Sequence, residues 1–103
     1  MGNESTTGRD FSGLTDSLGK ASKILKSMGN QRRLEILACL SEQEMSVGQL
    51  ERTIKISQSA LSQHLGRLRR DDIVTTRRDA QTIFYSLYDD KIRQLLRSIE
   101  LAA

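Results

Sequence analysis

Proline is absent from the 103 residues, and cysteine and histidine occur once each. A single thiol closes no internal disulfide, and the lack of proline removes one common source of helix breaks. One His, one Cys and no glycine-rich phosphate loop offer nothing from which to assemble a catalytic constellation, so the chain reads as neither an enzyme nor a cofactor or metal protein. No apolar run reaches membrane-spanning length and no signal-peptide pattern is present, which points to a cytoplasmic protein with no membrane partner. Two short matches, a myristoylation pattern at Gly2 to Thr6 and a glycosylation sequon at Asn3-Glu4-Ser5, are set aside as chance.

Acidic residues are missing from one stretch in particular. Ser57 to Arg70 reads SQSALSQHLGRLRR, without a carboxylate. At about 100° per residue, Ala60, Leu61, Leu65 and Leu68 fall on one side of a helix. Ser59, Gln63, Gly66 and Arg70 fall on the other, flanked by Ser62 and Arg67. Hydroxyl and amide side chains bond base edges, and arginines reach phosphates or guanine. The blander reading of such a face is a solvated surface, but selection for solubility alone usually mixes in Glu. Charge is also localised here: the chain carries +3 overall, yet Arg52 to Ala80 holds seven Lys or Arg against three Asp. That patch suits a polyanionic partner. His64 lies on the apolar side beside Leu61 and Leu68, where a packed histidine is the simpler reading than a ligand or base.

Length and the absence of repeats fit one domain, read as residues 14–103, after a tail over 1–13 that is rich in Gly, Ser, Thr and Asn. Leu14, Leu18, Ala21, Leu25 and Met28 recur at helical spacing opposite Lys20, Lys23 and Lys26. Gly29-Asn30 ends that helix, and Asn30 caps the next, in which Leu34, Ile36, Leu37, Ala38 and Leu40 form an apolar band. Ser46 with Gln49 reads as a capping box, and Met45 is placed to staple against Leu50. A short helix, a turn at Lys55-Ile56 and the Ser57-capped polar helix make a helix-turn-helix.

Beyond Arg70 the period changes to that of a β-hairpin, Ile73 to Arg78 and Gln81 to Leu87, with Ile83, Tyr85 and Leu87 packing inward. Arg77, Arg78 and Gln81 should crowd its tip. Asp79-Ala80 lacks the glycine of a two-residue turn, so a wider loop is expected. Asp89 or Asp90 caps a last helix bearing Ile92, Leu95, Leu96 and Ile99. The fold class is therefore mainly α with a small hairpin, four helices before it and one after. The terminal stripes Leu14, Leu18, Ala21, Leu25 and Ile92, Leu95, Leu96, Ile99 exceed what so small a domain can cover, so a homodimer is expected.

The segments RRLEILACL, EMSVGQL, SQSALSQHLGRLR and TRRDAQTIFYSL resemble the ArsR/SmtB family of bacterial winged-helix repressors, and within it a subgroup of nodulation, virulence and biofilm regulators. The resemblance spans roughly residues 21–99. It implies a homodimer bound to a palindromic operator in double-stranded DNA, with Gln58, Ser59, Ser62 and Gln63 facing the groove and Arg77, Arg78 and Gln81 on the wing. Many family members release DNA on binding a metal, through cysteines before the reading helix or through His and Asp on the last helix. Here Ser46-Val47-Gly48 has no thiol and Asp89 to Leu101 has no histidine, and capping explains Asp89 and Asp90 more simply than ligation, as solvation does Glu100. Several subgroup members sense sulfide-derived or oxidising species through two cysteines. Only Cys39 is present, one position later than that pattern, and one step turns a side chain by about 100°. An inert thiol is the expectation, with a one-thiol sensor as the alternative, and the effector is unknown. The competing function is a winged-helix docking module whose basic wing meets an acidic protein.

Overall fold

Four helices begin where a side-chain oxygen takes up an otherwise orphaned backbone N–H. Asn30 Oδ1 accepts from the Arg33 amide at 3.1 Å, Ser57 Oγ from the Ala60 amide at 3.2 Å and Asp89 Oδ1 from the Ile92 amide at 3.3 Å. Ser46 forms the full capping box: its Oγ accepts from the Gln49 amide at 3.2 Å, and its own amide donates to Gln49 Oε1 at 2.8 Å. In this computed structural model, which describes residues 11–102, these caps open α2 (Gln31–Glu42), α3 (Val47–Ile54), α4 (Gln58–Arg70) and α5 (Asp90–Ala102). They follow α1 (Phe11–Met28). The two chance motifs near the start, most of the expected tail and the Glu100 side chain lie outside the described residues.

Helix α1 begins at Phe11, three residues ahead of the expected Leu14, and the Thr15 hydroxyl donates back to the Phe11 carbonyl at 2.8 Å. Its C-terminal carbonyls are tied to the next helix, because Arg33 Nε donates to the Ser27 carbonyl. Helix α3 ends at Lys55, which takes a left-handed conformation (φ 60°, ψ 55°) and turns the chain tightly into α4. A non-glycine residue there costs of order 1 kcal/mol, which the burial of Leu50, Leu61 and Leu65 on either side of the turn offsets at roughly 2 kcal/mol each.

The core is centred on α2. Ile36, Leu37 and Leu40 are buried against Leu50 of α3, Leu61, Leu65 and Leu68 of α4, and Ile73, Val74 and Leu87 of the hairpin. Met28, Met45 and Ile92 close its edges. Ala38, expected in the apolar band, is exposed: it lines shallow surface clefts beside Ile54 of α3 and Leu96 of α5 and does not enter the core.

The hairpin is β2 (Val74–Asp79) and β3 (Thr82–Leu87), and a two-residue strand the sequence pattern did not reveal, β1 (Met45–Ser46), joins it in the antiparallel order β1-β3-β2. Asp79 pairs with Thr82, so the loop is only Ala80-Gln81. The wider loop expected from the missing glycine does not form; Ala80 itself adopts a positive φ of 57°. At the hairpin base the Tyr88 amide donates to the Ile73 carbonyl at 2.9 Å. Helix α5 is laid back on α2 by Arg93, whose Nε donates to the Ser41 carbonyl at 3.2 Å.

Candidate nucleic-acid interface

Helix α4 is held from behind by Leu61, Leu65 and Leu68, all buried, which leaves its opposite side facing outward. Every α4 residue that sequence reasoning placed in contact with DNA is exposed: Gln58, Ser59, Ser62, Gln63, Arg67 and Arg70. Arg69, which that reasoning left out, is exposed as well. On the helical wheel it borders Ser62, so the signal was present in the same 100° periodicity. Thirteen residues make a rod of about 20 Å, presenting hydroxyls and amides along its first half and guanidinium groups towards its C-terminal end. The first carboxylate after it in the chain is Asp71, beyond the last turn, whose Oδ2 accepts from Arg67 Nε at a long 3.4 Å. Arg69 and Arg70 carry no such contact among the described residues.

The wing is less simple than its sequence suggested. The register pairs Val74, Thr76 and Arg78 with Leu87, Tyr85 and Ile83, and this row faces the core, with Arg78 at its exposed far end. Arg77 is on the other face, opposite Phe84. Its side chain crosses the central strand with the guanidinium 4.6 Å from the Phe84 ring centroid. Nε donates to Glu44 Oε2 at 2.8 Å and Nη2 to Glu44 Oε1 at 2.7 Å. The two arginines therefore do not crowd the tip together: only Gln81 sits in the turn, and Arg77 is ion-paired. These hydrogen bonds hold the Glu44 carboxyl below its ordinary pKa. Glu44 escaped the sequence reading because it precedes a strand too short to show a period.

The remaining candidates fall apart from this surface. Cys39 is half-buried in a shallow cleft with Glu35, Ala38, Thr53 and Ile54. Burial, and next the Glu35 carboxylate, push its thiol above the ordinary value. Arg32, the cation one turn away, donates to Glu35 at 2.8 Å. His64 is half-buried, and burial followed by the charges of Arg33 and Arg32 lowers its pKa. Asp89 is a cap and Asp90 binds Arg93 and Gln94. Among the described residues no cluster of three His, Cys, Asp or Glu is placed to hold a metal ion.

Of the two terminal stripes, Leu18, Leu25 and Ile99 are 56%, 55% and 48% exposed, and Ala21 is exposed with them. Leu14, Leu95 and Leu96 are half-buried. Ile92 does not belong to the free stripe: it is 3% exposed and packs in the core of its own chain. Met28, expected on the same face as Leu25, is also internal: it lies in the core, with Ile24 packed against it.

Residues 30–76 match the family model described as bacterial regulatory protein, arsR family. The chain is 51% identical over 77 residues to the transcriptional activator HlyU of Vibrio cholerae, covering 75% of this chain and 71% of that one. It is 48% identical over 79 residues to the nodulation protein NolR of Rhizobium meliloti, covering 77% of this chain and 65% of NolR. The solved structure of V. cholerae HlyU superposes with a TM-score of 0.80 at 45% identity, covering 84% and 94% of the two chains. That of the transcriptional repressor BigR from Xylella fastidiosa also gives 0.80, at 36% identity over 91% and 96%.

Proposed function

The chain belongs to the arsR family of bacterial regulatory proteins and is a DNA-binding transcriptional regulator; from that premise we propose that it is a cytoplasmic, homodimeric repressor that occupies a short palindromic operator. The observation that carries the reading is the outward face of α4, where hydroxyl, amide and guanidinium side chains are exposed with no carboxylate among them. Ser59, Ser62 and Gln63 suit base edges, with Gln63 able to make paired bonds to adenine. Gln58, Arg67, Arg69 and Arg70 surround them with groups suited to phosphates, and Arg77, Arg78 and Gln81 extend the contact along the wing.

The exposed leucines of α1 and Ile99 of α5 support the dimer. A two-fold axis through these helices would set two copies of α4 in successive major grooves, about 34 Å apart, and repression follows when the occupied operator overlaps a promoter. No metal, cofactor or catalytic step enters this function. Selection from a random duplex library should recover a short inverted repeat. Recovery of sequences with no common element would move the basic surface to an acidic protein partner.

A further inference from the structure

The wing holds one side-chain cluster that neither the hairpin nor the reading helix requires. Arg77 reaches over the central strand, stacks on Phe84 at 4.6 Å and gives two hydrogen bonds to Glu44 at 2.8 and 2.7 Å. A guanidinium has five N–H donors in one plane. Two are spent on Glu44, one from Nε and one from Nη2, so three remain: the second N–H of Nη2 and both of Nη1. The plane is fixed by the ring on one side and the carboxylate along one edge, so the ordering cost of a long side chain is already met before any duplex arrives. The pair as a whole carries no net charge.

These two facts have opposite effects on the two kinds of DNA binding. A free arginine helps every duplex equally, because it displaces counterions from any phosphate. An arginine of fixed orientation and cancelled charge helps only where acceptors meet its remaining N–H groups. Resting on the interface reading above, we propose that Glu44 is a positioning residue for DNA discrimination. It holds the Arg77 guanidinium over Phe84 with its free edge towards the duplex, and it cancels the charge that would otherwise attract DNA of any sequence.

The test is a salt series of binding isotherms on the selected operator and on a random duplex of equal length. Wild type, Glu44→Gln, Arg77→Ala and the double variant are compared. Glu44→Gln keeps the shape of the side chain and removes its charge. It should bind the random duplex roughly three- to tenfold more tightly at low salt, with the salt dependence steeper by about one unit of slope per protomer. Its preference for operator over random DNA should fall by about threefold or more. In the Arg77→Ala background Glu44→Gln should change neither quantity. An unaltered slope and preference in Glu44→Gln, an equal loss on both duplexes, or the same change without Arg77 would overturn the proposal. A wild type with no operator preference would instead fail the interface reading on which it rests.

Discussion

His64 is the one histidine of the chain, and its surroundings oppose protonation of the ring. Burial first, and then Arg33 and Arg32, favour the neutral ring in the folded chain. The unfolded chain binds the proton at the ordinary value of about 6.5, so this contribution to stability is full above that pH and is lost as pH falls through the lower folded value. Urea denaturation between pH 5 and 7.5 should therefore fall more steeply in wild type than in His64→Gln; parallel profiles would mean that the ring feels neither burial nor the arginines. Cys39 is governed by the same kind of reasoning. With its thiol pushed up by burial and Glu35, iodoacetamide at pH 7.5 should alkylate it more slowly than free cysteine, and Glu35→Gln should speed the reaction. Alkylation faster than free cysteine would restore the one-thiol sensor.

At the scale of elements, the hairpin turn carries the clearest local conflict between residue and backbone. Ala80 occupies a positive φ in a two-residue loop, a position that favours glycine. Ala80→Gly should raise stability by about 1 kcal/mol in chemical denaturation, whereas a loss would show that the alanine conformation is unstrained. The turn also marks what a sequence reading misses: the glycine rule argued for a longer loop, but the pairing of the flanking strands set the length. Local signals were otherwise well legible. The caps at Asn30, Ser46 and Ser57 act within three residues, so spacing alone located the starts of α2, α3 and α4. The bond between Glu44 and Arg77 spans 33 positions and depends on β1, whose two residues leave no periodic trace. Nothing in a one-dimensional pattern announces it.

For the whole molecule, the exposed aliphatic surface lies on its first and last helices, at Leu18, Leu25 and Ile99. An apolar stripe has the same period whether it meets the chain's own core or a second copy, which is why Ile92 and Leu25 were read together and the structure separates them. Exposed Leu18 and Leu25 can be changed without opening the core. Sedimentation at micromolar concentration should give a dimer for wild type and a monomer for Leu25→Asp, with cooperative melting retained and operator affinity reduced by roughly tenfold or more. A monomeric wild type would remove the two-groove geometry.

The central claim is that the free face of α4 reads sequence, and titration of three duplexes measures it most directly: the selected palindrome, one isolated half-site and a random sequence, with wild type and Gln63→Ala. Wild type should prefer the palindrome over random DNA by about a thousandfold or more at physiological salt, with the half-site between them. Gln63→Ala should lose roughly 1 to 3 kcal/mol on the palindrome and almost nothing on random DNA. Equal affinity for all three duplexes, or an equal loss on each in Gln63→Ala, would contradict the account.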